Sequence, residues 1–171
     1  TANHLGKTTQ PAGKDGSRYE KRSSFCVEPQ FYPNAINTPE LEEKGIELQM
    51  NLEENPPKLL LDGKLFRQVI LNLVQNAEGA MTEGGQLRIS SQIKNDKFIV
   101  SIADTGIGMD EKTAARIFEP YFTTKTTGTG LGLTMVYKII KEFSGDIQVQ
   151  SILGEGSVFI ITLPIPQREH K

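Results

Sequence analysis

The chain has 171 residues, of which 37% are hydrophobic and 23% charged, and its formal net charge is -2. These values predict one soluble globular domain with some disordered length, and they argue against nucleic-acid binding through bulk charge. A single cysteine, Cys26, excludes a disulfide within the chain and favours a reducing, cytoplasmic setting. No apolar run approaches the length of a membrane helix or a signal-peptide core. We therefore expect no membrane contact by this chain, even if a parent protein is anchored.

Residues 1–37 are predicted to be a poorly structured arm or linker. Residues 1–24 lack an apolar period and cannot bury enough surface to offset the entropy of ordering. We interpret the lysines and arginines of this arm as a solvated tail rather than a contact patch. Pro29 and Pro33 interrupt any helix over 25–38, so that segment stays unassigned. The other end, residues 166–171, is a charged tail.

A domain over residues 38–165 is predicted to begin with a short helix that Thr38 caps and Gly45 ends. Alternating apolar and polar residues over 46–52 then predict a half-buried strand. From Asp62 a long helix is predicted to run to a Gly-Gly pair. The apolar stripe of this helix consists of Phe66, Ile70, Leu73, Val74, Ala77 and Met81.

The second half of the chain predicts four strands and two helices. We expect the strands at 87–93, 98–104, 147–151 and 157–163, and the helices at 111–118 and 133–143. The first two strands are joined by a short polar turn and form a hairpin. Strands that pair as hairpins while helices gather separately predict an α+β fold, a two-layer α/β sandwich. Its sheet would be mixed, mostly antiparallel, and packed on helices.

Two asparagines in the long helix are the first candidate functional residues. Asn72 and Asn76 are four apart and share one side of the helix. Asparagine is a poor helix former because its amide competes with the backbone, so two in mid-helix suggest a use. Magnesium accepts an amide oxygen beside waters and phosphates. Solvent-facing or helix-bonding amides are an equal alternative.

Two glycine-rich turns follow, at 104–109 and 128–133. Asp104 ends an apolar strand, and Gly106 and Gly108 would let a ligand approach closely. A carboxylate fixed at such a turn can accept a hydrogen bond from the exocyclic amine of adenine. The alternative is an ordinary Asp-Gly turn without function.

The second turn precedes a predicted helix, and free N–H groups at a helix start bind phosphate. Its residues are Gly128, Thr129, Gly130, Leu131 and Gly132. The spacing fits neither a Rossmann fingerprint nor a Walker A loop, and a flexible hinge is the alternative. Before it, the segment Phe118–Lys125 can fold over a nucleotide as a lid, with Lys125 meeting the phosphates. The alternative is that its rings only pack on the domain while Lys125 is solvated.

The ordered set of motifs resembles the catalytic, ATP-binding domain of sensor histidine kinases. The superfamily, GHKL, also holds gyrase B, MutL and the heat-shock chaperone ATPases, and its fold is the Bergerat fold. Four boxes carry the resemblance: an asparagine box at 72–80, a first glycine box at 104–109, a phenylalanine box at 118–122 and a second glycine box at 128–133. Thr-Thr-Lys running into Gly-Thr-Gly-Leu-Gly-Leu is closest to the nitrogen-sensor type.

The resemblance implies ATP and Mg²⁺ as cofactors. Asn76 would ligate magnesium, and Asn72 would help hold the phosphates and the metal. Lys125 and the amides around 128–132 would face the phosphates, which makes Asn72 and Lys125 the candidate catalytic residues. Many relatives have a lysine where this chain has Gly79, so phosphate charge must be met elsewhere.

The resemblance also implies that Asp104 binds the adenine amine, in a pocket that Gly106 and Gly108 shape. In the gyrase-like ATPases a water-activating glutamate occupies the position of Asn72, and an amide cannot act as a general base. We therefore expect phosphoryl transfer rather than hydrolysis.

Neither histidine of the chain, His4 or His170, has the sequence context of a phospho-acceptor. The γ-phosphoryl group would therefore go to a histidine on a separate dimerisation domain of the parent kinase. From there the resemblance implies transfer to a response regulator.

Overall fold

The computed structural model describes residues 26–27, 36–124 and 128–166. The helices are α1 (Thr38–Glu43), α2 (Gly63–Ala80), α3 (Glu111–Arg116) and α4 (Gly132–Glu142). The strands are β1 (Cys26–Val27), β2 (Ile46–Asn51), β3 (Leu59–Leu60), β4 (Gly85–Lys94), β5 (Lys97–Asp104), β6 (Asp146–Ile152) and β7 (Gly156–Pro164). Among the described helices, none is long and apolar enough to cross a bilayer.

Five strands form one sheet in the order β2-β4-β5-β7-β6. β2 pairs with β4 in parallel, whereas the other three pairs are antiparallel. The parallel pair is possible because α2 lies in the connection between its two strands. The prediction of a mixed, mostly antiparallel sheet is therefore confirmed.

The core lies between one face of this sheet and the helices α2 and α4. Every residue of the predicted stripe of α2 is buried, and so are Val136, Ile139 and Ile140 of α4. The inward side chains of β5 and β7 meet them, and these are Phe98, Val100, Ile102, Phe159, Ile161 and Leu163. This two-layer packing confirms the predicted α/β sandwich.

The long helix α2 has a well-defined start. Asp62 precedes it, and one carboxylate oxygen accepts hydrogen bonds from the backbone N–H groups of Lys64 at 2.8 Å and Leu65 at 3.1 Å. These bonds satisfy donors that the first helical turn leaves open. The capping bonds of Asp62 therefore define where the helix begins.

The structure departs from the predicted elements in four places, and the first is that α2 ends at Ala80 rather than at the Gly84-Gly85 pair. Thr38 is not the cap of α1, because Asn37 takes that position and makes no side-chain capping bond. α3 ends at Arg116 rather than Phe118, since the N–H of Glu119 closes a turn onto the carbonyl of Arg116. β1 and β3 form a small antiparallel sheet that was not predicted. Most of the predicted arm, and nearly all of the tail, lie outside the described residues.

Candidate functional site

A cavity of about 370 Å³ opens between α2, the loop after β5, and the segment that leads into α4. Four segments line it: Asn72, Gln75, Asn76, Gly79 and Ala80 from α2; Ile107, Gly108, Met109, Thr113 and Ile117 from the loop and α3; Phe122, Thr123, Thr124, Gly128, Thr129, Gly130, Gly132 and Leu133 around the start of α4; and Ser157 from β7. None of these described wall residues is charged. The wall therefore offers amides, hydroxyls and backbone groups to a ligand, beside an apolar part.

The asparagine pair lies on the α2 wall, as predicted. The amide nitrogen of Asn72 donates to the backbone carbonyl of Gly132 across the cavity, at 3.5 Å. Gln68, one turn earlier, donates to the amide oxygen of Asn72 at 3.3 Å. Both bonds are long and exposed, so they orient the Asn72 amide toward the start of α4 without locking it.

The first glycine turn is fastened to the end of α2. Asp104 is only 7% exposed, and its carboxylate accepts a hydrogen bond from the N–H of Gly106 at 2.9 Å. A Cβ on Gly106 would lie 2.5 Å from the carbonyl oxygen of Ala80. That same carbonyl accepts the N–H of Ile107 at 3.0 Å. Glycine is required at position 106 because any side chain would push α2 away from the turn.

The other side of this turn rests on the β6–β7 hairpin. Gly108 has a φ of +64°, and a Cβ there would collide with the carbonyl oxygen of Ile152. The N–H of Gly154 donates to the carbonyl of Ile107 at 2.6 Å. The glycine turn is thus clamped between α2 and the hairpin, which holds Asp104 at a fixed depth below the cavity.

Two serines, Ser151 and Ser157, lie beside Asp104 and the glycine turn. The register of β5 and β7 places Ser157 opposite Asp104, and Ser157 is buried and lines the cavity. The Ser151 hydroxyl donates to the carbonyl of Gly156 at 2.9 Å and accepts the N–H of Met109 at 2.8 Å. Its single proton is thereby used, so Ser157 donates to Ser151 across 2.8 Å.

We call the segment 118–132 the lid, and the structure describes it except for 125–127. Its two ends meet at a hydrogen-bonded root, which is formed by Phe118, Tyr121, Gly130 and Thr134. The N–H of Tyr121 donates to the carbonyl of Gly130 at 3.0 Å. The hydroxyl of Thr134 lies 3.3 Å from the carbonyl of Phe118 and 3.4 Å from that of Gly130. A Cβ on Gly130 would lie 2.7 Å from the Cα of Tyr121, so the two backbones touch. Both ends of the lid are therefore held together.

The aromatic ring of Phe118 anchors the lid in the core. Its centroid lies 5.7 Å from that of Tyr137 and 6.3 Å from that of Phe159, the latter in a T-shaped arrangement. Such edge-to-face contacts are favourable beyond the area that they bury. The interpretation of Phe118 as a packing residue is thus supported, while Phe122 lies on the cavity wall.

Most of the predicted site residues converge on this cavity. Those on its wall are Asn72, Asn76, Gly108, Gly128, Thr129, Gly130 and Gly132. Asp104, Gly106 and Leu131 are not among the lining residues, although the first two form the floor beneath it. Lys125 lies outside the described residues, so its predicted position at the phosphates stays a prediction.

Several wall residues were not among the predicted site residues, and the polar side chains of Gln75 and Ser157 are two of them. Gln75 lies on α2 between the two asparagines and turns toward the cavity. Ser157 is the only polar member of the inward-facing series of β7, whose other members are apolar. A polar residue at an inward strand position could have identified Ser157 before the structure, because buried hydroxyls need partners.

The donor set of the cavity fits magnesium only together with phosphates. In the part of the chain that the structure describes, no three His, Cys, Asp or Glu residues could hold a metal ion. The three amide side chains of the α2 wall, Asn72, Gln75 and Asn76, are consistent with an ion that retains waters and takes its remaining ligands from a substrate.

Residues 61–167 match the family model of the histidine kinase-, DNA gyrase B- and HSP90-like ATPases. The chain belongs to this family. Sporulation kinase E of Bacillus subtilis is 40% identical over 124 residues, which are 72% of this chain and 17% of that protein. Signal transduction histidine-protein kinase AtoS of Escherichia coli is 43% identical over 105 residues, 61% of this chain and 17% of that protein. The chain therefore spans about a sixth of the length of these relatives.

Solved structures of the family have the same fold. The catalytic domain of histidine kinase ThkA matches with a TM-score of 0.68 and 34% identity, over 75% of this chain and 84% of that chain. Full-length ShkA in complex with AMPPNP matches with a TM-score of 0.66 and 31% identity, over 80% of this chain and 28% of that chain. These matches confirm the predicted membership among histidine kinase catalytic domains. The nitrogen-sensor subtype stays a prediction.

Proposed function

We propose that this chain binds Mg-ATP and transfers the γ-phosphoryl group to a histidine on the dimerisation domain of a two-component sensor kinase. A response regulator would then receive the group from that histidine. The observation that carries the proposal is the pair Asn72 and Asn76, which lies on the α2 side of the cavity, opposite the glycine-rich start of α4. None of the described residues that line this cavity is charged. An amide pair opposite a helix start, where the first N–H groups have no partner within the helix, suits a metal-bound polyphosphate.

The adenine would occupy the end of the cavity above Asp104 and Ser157. The Asp104 carboxylate would accept a hydrogen bond from the exocyclic amine, which selects adenine over guanine because guanine carries a carbonyl there. Apolar wall residues Met109, Ile117 and Leu133 supply the surface against which the faces of the base can pack. This placement of the adenine is supported by the glycine turn between α2 and the β6–β7 hairpin, which fixes the carboxylate before any ligand binds.

The phosphates would extend from there toward the start of α4. Asn76 would offer one amide oxygen to Mg²⁺, and Asn72 would contact the phosphates from the same wall. The ion, when bound, supplies the neutralising charge that the described wall lacks. Lys125 is the proposed cation of the lid. The remaining work of the chain is to hold the phosphoryl group in line with an incoming acceptor.

Transfer to a histidine, rather than to water, is supported by the chemistry of Asn72. A water-activating base would have to be a carboxylate or an imidazole, and position 72 holds an amide that cannot accept a proton. None of the described wall residues carries a carboxylate or an imidazole. We therefore expect slow phosphate release by the isolated chain, and we place the domain in the cytoplasm, where ATP is available.

Titration calorimetry with ATP and GTP, with and without Mg²⁺, tests the site. We expect ATP to bind more tightly than GTP, and Mg²⁺ to strengthen binding in the parent chain. Asn76→Ala should remove most of this strengthening and leave magnesium-free ATP binding unchanged. Asn51→Ala, at the end of the edge strand β2, is the matched control. Equal binding of ATP and GTP, or an undiminished Mg²⁺ effect in Asn76→Ala, would contradict the assignment.

A further inference from the structure

The second ring of the phenylalanine box lies under a cation. The guanidinium carbon of Arg116, in the last turn of α3, is 4.6 Å from the centroid of the Phe122 ring. A cation within about 6 Å of an aromatic centroid is attracted by the negative face of the ring. Phe122 lines the cavity, whereas Arg116 is not among the lining residues. Arg116 therefore lies behind the ring rather than on the cavity wall.

Arg116 is itself oriented by its own chain segment. Its Nε donates to a carboxylate oxygen of Glu119 at 2.9 Å, and both side chains are more than half exposed. An exposed ion pair contributes little stability, but it restricts the rotamers of the arginine. The start of α3 is capped by Asp110, which accepts the N–H of Thr113 at 2.7 Å. The guanidinium is thus presented from a capped helix.

Phe122 directly precedes the two lid residues whose hydroxyl side chains lie on the cavity wall. The N–H of Tyr121 donates to the carbonyl of Gly130, and the N–H of Phe122 donates to the carbonyl of Glu119 at 3.3 Å, so Phe122 is the last residue held at the root on that side. Thr123 and Thr124 follow it on the cavity wall. Any rotation of the Phe122 backbone would carry these two hydroxyls with it. A contact that fixes the ring therefore also limits where the threonines can be.

We propose that Arg116 is a positioning residue of the lid, which holds Phe122 as part of the cavity wall and orders 122–124 before the nucleotide binds. The inference rests on the proposed nucleotide binding. Ordering a segment in advance lowers the entropy cost of binding. Loss of the guanidinium should then weaken Mg-ATP binding by about two- to fivefold, since exposed cation–π contacts are of that size. The maximal rate of phosphoryl transfer should change less than the KM for ATP.

The chain contains no tryptophan, so Phe122→Trp creates a single fluorescent reporter at this ring. In that background we compare Arg116→Met, which keeps the aliphatic stem, with Arg116→Lys, which keeps a cation. Arg88→Met is the matched control, because Arg88 contacts Gln49 and Gln86 on the outer face of the sheet. Acrylamide quenching without nucleotide measures how far the indole is shielded.

We expect steeper quenching in Arg116→Met than in the reporter parent, a partial return in Arg116→Lys, and no change in Arg88→Met. Calorimetry with Mg-AMPPNP in the natural Phe122 background should give the same order of affinities. Equal quenching in all variants, or an Arg116→Met affinity equal to that of the parent, would overturn the proposal. If the parent chain itself binds no nucleotide, the proposed function fails, whereas the quenching series still reports on the ring contact.

Discussion

At the residue scale, the buried carboxylate of Asp104 has the most constrained environment of the proposed adenine site. It is 7% exposed, and the N–H of Gly106 donates to it at 2.9 Å. Gly156, on the neighbouring strand, has room only for a hydrogen, because a Cβ there would collide with the Asp104 carbonyl oxygen. The backbone around Asp104 is thus confined on two sides, so small backbone shifts cannot reorient the carboxylate.

This constraint makes Asp104→Asn the sharpest single substitution in the proposed adenine site. The amide keeps the shape of the carboxylate but loses its charge, so its hydrogen bonds weaken. We expect ATP binding to weaken by about tenfold or more, in line with the size of a charge-assisted bond. Asp96→Asn, in the β4–β5 turn at a φ of +56° that asparagine tolerates, is the control. Unchanged ATP affinity in Asp104→Asn, measured by calorimetry, would remove Asp104 from the adenine site.

At the element scale, the closed root of the lid depends on a glycine. Gly130 has a φ of +69° and is in backbone contact with Tyr121, which itself has a φ of +63°. A non-glycine residue at positive φ is strained, so the root already contains one costly conformation. The lid is therefore held by backbone complementarity rather than by side chains alone.

Gly130→Ala should separate this contact from the strain of positive φ. Gly154→Ala is the matched control, because Gly154 has a φ of +83° but no atom near its missing side chain. Both variants should lose about 1 kcal/mol of stability from backbone strain. Only Gly130→Ala should also weaken Mg-ATP binding, as measured by calorimetry. Equal nucleotide affinities of the two variants would show that the root contact does not shape the site.

A second element-scale contact joins the end of α4 to the start of β6. Lys141 donates to the Asp146 carboxylate at 2.5 Å, and this hydrogen bond is the main reason that the pKa of Asp146 lies below its ordinary value. Because the folded-state pKa is the lower one, the pair stabilises the fold above the unfolded pKa. This stabilisation is lost as the pH falls below about 4.

Asp146→Asn should therefore lower the urea midpoint slightly at pH 7, where the parent carboxylate is charged. The difference between variant and parent should shrink as the pH is lowered toward 2, where both lack the charge. The effect will be small because both side chains are nearly half exposed. A difference in midpoint that stays constant over this pH range would show that the ion pair is not its source.

At the scale of the whole molecule, local periodicity predicted most of the architecture. The stripe of α2 and the alternation in β5 and β7 depend on side chains that one element presents to a common core. The small β1–β3 sheet was not predictable, because strands of two residues have no period. The end of α3 was misjudged because Ile117 and Phe118 continue the apolar pattern while the backbone leaves the helix.

The candidate site was predictable where residue type alone indicates a use. Asn72, Asn76 and the glycines stood out because they are poor choices for helices and strands in general. Ser157 was missed although a polar residue at an inward strand position was a signal, and the sequence alone could not assign the cavity-side partners of Ser157 and Arg116. The pairing of Ser157 with Asp104 depends on the β5–β7 register, and the contact of Arg116 with Phe122 depends on the path of the lid. Such relations exist only after folding.

The central claim is phosphoryl transfer to a histidine, and radiolabelled γ-phosphate tests it most directly. The chain is mixed with Mg-ATP and the separately produced dimerisation domain of its parent kinase. We expect label on that domain, stable to alkali and lost in acid, as a phosphorus–nitrogen bond to histidine requires, and none when the acceptor histidine is replaced by alanine. Steady release of labelled phosphate without the acceptor, or an unlabelled acceptor despite measured ATP binding, would contradict the proposed function.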